Sequence, residues 1–157
     1  MKSTVIHTSL GTWTVQFREE PAHAVAQKRE LLPLVDALLQ QHRAGSLTLD
    51  EDIGGRSWFS RTVLGLNPRI LQMHLTLEWS DGVASLVFFD DASSEHRAMD
   101  PSHAIQASDA IRTAIAHGEA APLPFRECLE LNRARRAIEE FLETGKRPDW
   151  LQYEYIA

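Results

Sequence analysis

The chain has 157 residues, which is the size of one ordinary domain. Hydrophobic residues make up 43% of it and charged residues 24%, close to the globular average, which argues against an intrinsically disordered chain. Twenty-two acidic residues against sixteen basic ones give a net charge of −6, and this argues against direct binding of nucleic acid.

The first third of the chain predicts a strand and a helical segment. Residues 11–17 alternate apolar and polar side chains, which is typical of a half-buried strand. Residues 22–44 carry apolar side chains at helical spacing, and Pro33 is expected to kink this helix or to begin a second one near Leu32. Gly45 is predicted to end the helix.

The middle of the chain predicts a sheet. Residues 47–49 suggest a short strand, followed by an acidic turn at residues 50–52. Residues 70–79 alternate strictly, the turn at residues 80–82 contains an Asp-Gly pair, and the apolar run at residues 83–89 is typical of a central strand. These features predict an antiparallel hairpin in the interior of the sheet.

The last third predicts one more sheet strand, two helices and a closing strand. Residues 95–99 are expected to continue the antiparallel sheet, and residues 103–117 and 125–143 have helical spacing. Cys128 is expected on the buried stripe of the second helix, as an inert thiol. Residues 150–156 alternate again and are predicted to return to the sheet.

The whole pattern predicts a single α+β domain over residues 1–157, with an antiparallel sheet and helices packed mainly on one face. The first ten residues have no long apolar run, and no apolar run in the chain reaches the roughly 20 residues of a transmembrane helix. One cysteine cannot form an internal disulfide. We therefore expect a cytoplasmic protein that does not bind a membrane.

The acidic residues are concentrated in the part of the chain that is predicted to form the sheet. Between Gly45 and Asp100, nine acidic side chains outnumber four basic ones, so this segment holds five of the six excess negative charges. Asp81 lies at one end of the predicted hairpin, and Asp90 and Asp91 lie at the other. These acids either serve as ordinary turn residues or form a face that captures a basic partner.

The residues able to carry chemistry show no arrangement typical of a catalytic or metal site. No two of the seven histidines share the i, i+4 spacing of a metal-binding pair, and residues 50–52 lack the spacing of a calcium loop. The sequence has no Gly-x-Ser-x-Gly elbow and no glycine pattern of a nucleotide-binding loop. We therefore expect no catalysis, no metal and no cofactor.

The C-terminal segment RARRAIEEFLETGKRPDWLQYEYIA combines a helix, a Thr-Gly step, an Arg-Pro pair and a strand with aromatic residues. It resembles the closing motif of a family of bacterial immunity proteins, typically encoded beside polymorphic toxins and often beside toxins with deaminase domains. The matching positions are Phe141, Thr144, Gly145, Arg147, Pro148, Leu151 and Tyr153. The family usually has Trp at the last of these positions, and the central hairpin resembles the family only in pattern.

The resemblance implies a non-enzymatic protein that binds a cognate toxin one to one and blocks the active site or substrate groove of that toxin. The sequence leaves open whether the toxin is a deaminase, a nuclease or of another type. Toxins that act on nucleic acid tend to carry basic grooves, so an acidic face on the inhibitor would make association fast and selective. The predicted toxin-binding residues are the acids around the hairpin and two tryptophan anchors: Asp50, Glu51, Asp52, Asp81, Asp90, Asp91, Glu95, Trp58 and Trp79.

Two other classes of function stay open. A small hydrolase-type enzyme would use His74 or His96 with a nearby carboxylate, and it would need a deep pocket that holds both groups. A small-ligand-binding or regulatory domain would need an apolar cavity lined by Trp58, Trp79 or Phe88.

Overall fold

The computed structural model describes residues 13–18, 20, 23–25, 27–55, 62–65, 69–103 and 105–156, with only the backbone described at 23–25, 54–55 and 69–71. The strands in this part of the chain form one sheet, in which every pairing is antiparallel. They are β1 (Trp13–Phe17), β2 (His23–Val25), β3 (Ala44–Gly55), β4 (Arg69–Ser80), β5 (Val83–Phe89), β6 (Glu95–Met99), β7 (Leu129–Glu130) and β8 (Gln152–Tyr155). Their order is β2-β1-β3-β4-β5-β6-β8, and β7 pairs with the start of β5.

Two long helices and one short helix are described along with the sheet. They are α1 (Leu31–Gln41), α2 (Asp109–Ala114) and α3 (Leu131–Thr144), and two 3-10 turns cover Lys28–Glu30 and Phe125–Glu127. Helices α1 and α3 pack on the same face of the sheet and enclose the main core with it. The sheet contributes alternate residues of its strands to this core, among them Val15, Phe17, Leu47, Leu49, Leu75, Leu77, Leu86 and Phe88.

A smaller core covers part of the opposite face of the sheet. It is formed by the segment that follows α2 together with residues of β5 and the β7 region: Val83, Ile115, Ala116, Leu123 and Cys128. Beside it, the buried guanidinium group of Arg97 pairs with the carboxylate of Glu127 at 2.7 Å. The predicted α+β class, with an antiparallel sheet and helices mainly on one face, is confirmed.

The predicted central hairpin is confirmed, including its turn. Strands β4 and β5 pair in unbroken register from Leu75 and Phe88 to Ser80 and Val83. Both turn residues have positive φ, 50° at the Asp and 81° at the Gly of the Asp-Gly pair, as a two-residue type I′ turn requires. Because β5 lies between β4 and β6, its apolar run is buried on both faces.

The predicted helix over residues 22–44 is wrong at both ends. Residues 23–25 form β2, and the helix begins only at Leu31. Pro33 lies in the first turn of α1, where a missing N–H costs no intrahelical hydrogen bond, so it begins a helix rather than kinking one. Gly45 does not end the helix, since it lies in β3 opposite Trp79.

Strand β3 is much longer than predicted, and it includes the residues predicted to form an acidic turn. Asp50, Glu51 and Asp52 are strand residues paired with β4, and the first two also pair with β1. The register shifts after Leu49, where β4 has one extra residue, His74, and this is a β-bulge. Pairing with two neighbouring strands outweighs the turn preference of Asp.

The two helices predicted in the last third are both shorter than expected. Residues 103–117 contain only the six-residue helix α2. Within residues 125–143 the helix begins at Leu131, because Leu129 first pairs with β5. Cys128 is buried as predicted, but it precedes the helix.

The end of the chain follows the prediction. Helix α3 ends at Gly145, whose φ of 71° is the left-handed conformation that favours glycine. Strand β8 then returns to the sheet beside β6. Across the described ranges, no helix is both long and apolar enough to cross a membrane.

Candidate functional site

The structure brings together only three of the predicted acidic residues. Glu51, Asp90 and Asp91 lie at one end of the sheet, where β4 and β5 approach the C-terminal end of α3. Asp81 lies in the β4–β5 turn at the other end of the sheet, where it pairs with the exposed Arg43. The acids at the two ends of the hairpin therefore cannot contact one small region of a partner.

Asp50, Asp52 and Glu95 are placed by strand alternation on the face of the sheet opposite α1 and α3. Burial raises the pKa of the Asp50 carboxyl, with a smaller opposing effect of His74. Asp52 is only 7% exposed, so it offers a partner little surface. These three residues therefore lie on the other face of the sheet from Glu51.

An open groove of about 440 Å³ lies where the ends of β4 and β5 meet the end of α3. Its lining comes from three distant parts of the chain: Gln72, His74, Phe89, Asp90, Asp91, Phe141, Gly145, Lys146 and Arg147. Phe141, Gly145 and Arg147 are positions of the C-terminal family motif. The segment that carries the resemblance therefore forms one wall of the groove.

The turn between β5 and β6 forms an acidic wall of the groove. One carboxylate oxygen of Asp90 accepts hydrogen bonds from the backbone N–H groups of Ala92 (3.0 Å) and Ser94 (2.9 Å), and the other lies 3.0 Å from Nε2 of His96. The hydrogen bond with His96, followed by that with Ser94, lowers the pKa of Asp90. Asp90 is therefore ionised at neutral pH and fixed in orientation.

Asp91 is the more available carboxylate of this wall. It is exposed, and the side-chain amide of Gln72 donates one hydrogen bond to its Oδ1 at 2.9 Å. A carboxylate has about four acceptor sites on its two oxygens. Asp91 therefore keeps most of its capacity for a donor on a partner.

The bulge residue His74 lines the groove between the acidic wall and α3. Its Nε2 lies 2.9 Å from Oε2 of Glu51, and the two side chains are 14% and 15% exposed. Its ring stacks on Trp13 with a centroid distance of 4.9 Å and lies 5.7 Å from the ring of Phe141. The extra residue of the bulge explains this placement, because it turns His74 toward the side that α3 covers.

Another wall of the groove is basic and begins where α3 ends. After Gly145 turns the chain, Lys146 and Arg147 follow, and both are exposed. The guanidinium group of Arg147 lies 4.7 Å from the ring centroid of Tyr153. Neither basic side chain forms an ion pair within the described part of the chain, so both charges face solvent.

Of the two predicted tryptophan anchors, Trp79 does not contribute to this groove. Trp79 is 2% exposed and lies in the main core, where its Nε1 donates a hydrogen bond to the carbonyl of His42 at 2.9 Å. Its burial argues against the prediction that it anchors a partner, because it has almost no surface to offer. Trp58 lies outside the described residues.

The His–carboxylate pairs that an enzyme would need are present, but a deep pocket around them is not described. His74 pairs with Glu51, and His96 pairs with Asp90. The groove is open to solvent, and its described lining includes no Ser, Thr or Cys that could act as a nucleophile. A pair of this kind without a nucleophile or an enclosed pocket defines no particular reaction.

A third cluster has the order of a catalytic triad, yet it is closed to substrate. His117 places Nε2 3.1 Å from Oγ of Ser85 and Nδ1 3.4 Å from Oε1 of Glu78. Ser85 lies in the central strand β5 and is fully buried. Burial, and to a smaller extent the charge of Arg97, lowers the pKa of His117 to about 4, so its ring is neutral at physiological pH. The cluster attaches the segment after α2 to the sheet.

The structure gives little support to a ligand cavity around the predicted aromatic residues. Phe88 is fully buried in the main core and packs on Phe141 with a centroid distance of 5.4 Å. Trp79 is buried in the same core. Both rings fill packed space rather than line an opening. Among the described residues, no three His, Cys, Asp or Glu side chains are grouped closely enough to hold a metal ion.

The sequence did not point to Gln72, Lys146 or Arg147 as residues of a binding site. The available signals were positional, since a strand was predicted to end near Asp90 and a helix at Gly145. Nothing in the order of residues shows that these two ends meet in the fold. Their meeting depends on how α3 lies across the sheet.

The described residues form a small α+β protein with an open groove lined by charged residues. The sequence model of the family described as Immunity protein Imm1 matches residues 19–154, which is most of the chain. The chain therefore belongs to the Imm1 family of immunity proteins. Comparisons with curated proteins and with solved structures found no significant match.

Membership in this family confirms the resemblance that the C-terminal motif suggested. It makes the chain an immunity protein, and it implies a toxin as partner and a role other than catalysis. The matched range includes every described residue that lines the groove.

Proposed function

We propose that this chain acts in the cytoplasm, where it binds a cognate toxin domain one to one and neutralises it by covering its active site or substrate groove. The toxin acts on nucleic acid, as a deaminase or a nuclease. Family membership supports a toxin partner. The charge and shape of the groove support the proposal that the toxin binds there.

The observation that carries this proposal is the placement of Asp90 and Asp91 in the lining of the open groove, with Glu51 behind them in contact with the lining residue His74. The hydrogen bonds to Asp90 keep it ionised. Carboxylates grouped at the rim of a cleft raise the local concentration of a basic partner and its rate of association.

A toxin that acts on nucleic acid offers the matching surface. Proteins that bind nucleic acid place Lys and Arg along the path of the phosphates. An acidic inhibitor that docks there competes with the nucleic acid for the same charges. Occlusion of the substrate groove then requires no catalytic residue on the inhibitor.

We expect Asp91→Asn to slow association with the toxin. The substitution removes one exposed charge beside the groove while retaining an acceptor for the Gln72 amide. The association rate constant for a catalytically inactive form of the toxin domain encoded beside this gene should fall about 2- to 5-fold at low salt. Stopped-flow or biosensor measurements at two ionic strengths will show this, because screening shrinks an electrostatic effect at high salt.

Asp81→Asn is the matched control, since it changes the net charge equally at the other end of the sheet. Asn also tolerates the positive φ of that position. Its association rate should stay close to that of the unmodified protein. Equal slowing by the two substitutions, or no slowing by either, would contradict the proposed surface.

A further inference from the structure

The groove carries opposite charges on its two walls. Asp90 and Asp91 form one wall, and Lys146 and Arg147 form the other. The two pairs come from turns that follow β5 and α3, so the fold rather than the sequence brings them together. A surface that only attracted basic partners would not need the second pair.

The two walls do not neutralise each other. In the described part of the chain, no ion pair joins either Asp to Lys146 or Arg147, although all four side chains line one groove. Asp90 is held by its turn, and Arg147 lies over the ring of Tyr153. Asp91 and Lys146 are the two charges left most available to an occupant.

The space between the walls is large enough for an occupant. Its volume of about 440 Å³ falls within the roughly 300–1,000 Å³ typical of binding clefts. The aromatic rings of His74 and Phe141 also line it. Such rings can pack against the aliphatic stems of long charged side chains, whose ends then reach the walls.

We propose that this groove receives a segment of the toxin that carries a basic and an acidic side chain close together. The basic side chain contacts Asp91, and the acidic one contacts Lys146, with Arg147 beside it. This inference rests on the proposed function, because it assumes that the toxin is the partner. It adds that the contact is of mixed charge rather than uniformly acidic.

A contact of mixed charge provides specificity that an acidic surface alone cannot. A purely basic loop would be attracted by Asp91 but repelled by Lys146 and Arg147. A segment with both charges in the matching order satisfies both walls. Repulsion of near-matches is a common way in which a binding protein rejects related partners.

Reversal of the charge at Lys146 tests the inference. The Lys146 side chain is exposed and forms no ion pair with the described residues, so Lys146→Glu should leave the fold intact, as thermal unfolding will verify. Although this change makes the protein more acidic, we expect the Kd for the inactive toxin domain from the adjacent gene to rise about tenfold, mainly through faster dissociation. Lys146→Gln should raise the Kd less.

Arg43→Glu is the control. It makes the same change in charge at the other end of the sheet, where the Arg43 side chain is 87% exposed, and it should leave the Kd nearly unchanged.

The two proposals fail in different ways. Unchanged or tighter binding by Lys146→Glu would overturn the mixed-charge groove and leave the acidic surface of the proposed function standing. Equal weakening by Lys146→Glu and Arg43→Glu would also overturn it, since the effect would then not belong to the groove. Failure of the unmodified protein to bind the toxin domain would overturn the proposed function itself.

Discussion

Gly45 is a residue at which a single added carbon should have a clear cost. A Cβ atom there would lie 2.6 Å from a ring atom of Phe17 and 2.8 Å from one of Trp79, both in the packed core. Both rings are buried, so neither can move away without disturbing the core, and we expect Gly45→Ala to lower the free energy of unfolding by about 1–3 kcal/mol. Urea unfolding followed by tryptophan fluorescence will measure the difference.

Ser46→Ala is the control for this prediction. Ser46 is the next residue of β3 and is half-buried on the opposite side of the sheet. Its replacement should change the free energy of unfolding by no more than about 0.5 kcal/mol. Equal stability of Gly45→Ala and the unmodified protein would show that the rings do not confine this position.

The acids of β3 show why the sequence alone could not predict which residues lie near the groove. The sequence places Asp50, Glu51 and Asp52 side by side, and their charges suggest one patch. In a strand, neighbouring side chains point to opposite faces, so Glu51 reaches the groove side while its two neighbours face away. The β-bulge at His74 then sets which partner Glu51 meets. Neither the length of β3 nor the bulge at His74 can be predicted from composition or charge.

At the scale of elements, the contact between the α2 segment and the sheet should depend on pH through His117. Its pKa of about 4 in the folded state lies below the ordinary value of 6.5, because burial disfavours the charged ring. Below pH 6.5 the unfolded chain therefore binds a proton that the folded protein does not. The stability that neutral His117 contributes is complete above pH 6.5 and is lost as the pH falls toward 4.

We expect His117→Gln to remove this dependence. Between pH 7 and pH 5, the unmodified protein should lose about 2 kcal/mol more of its free energy of unfolding than the variant does. The cost of placing Gln at a φ of 52° is the same at both pH values and cancels in the comparison. Urea unfolding at the two pH values gives the numbers, and parallel losses in the two proteins would contradict the role of His117.

Elements with strong local patterns were predictable, and those decided by long-range pairing were not. Strands β4 and β5 and their Asp-Gly turn follow from strict alternation and turn chemistry. Leu129, by contrast, has helical spacing with α3, yet it pairs with Ala84 of β5. Residues 23–25 likewise join β1 instead of a helix. In both places, hydrogen bonds to another strand of the sheet outweighed the local preference.

At the scale of the whole molecule, the net charge does not show that acidic and basic side chains meet at one groove. The net charge of −6 and its concentration in the middle of the chain were visible in the sequence. The basic wall of Lys146 and Arg147 was not, because it belongs to the C-terminal segment and meets the acids only in the folded protein. The C-terminal motif indicated the correct family, but its residues were first interpreted only as a helix end and a strand.

The central claim, that this immunity protein neutralises a toxin by binding it, is tested most directly by titration. Purified protein is added in steps to a fixed amount of the active toxin domain encoded beside this gene, and the remaining activity on nucleic acid is measured. At toxin concentrations well above the Kd, activity should fall linearly and reach zero at one equivalent. Full activity in the presence of several equivalents of the protein would contradict the account.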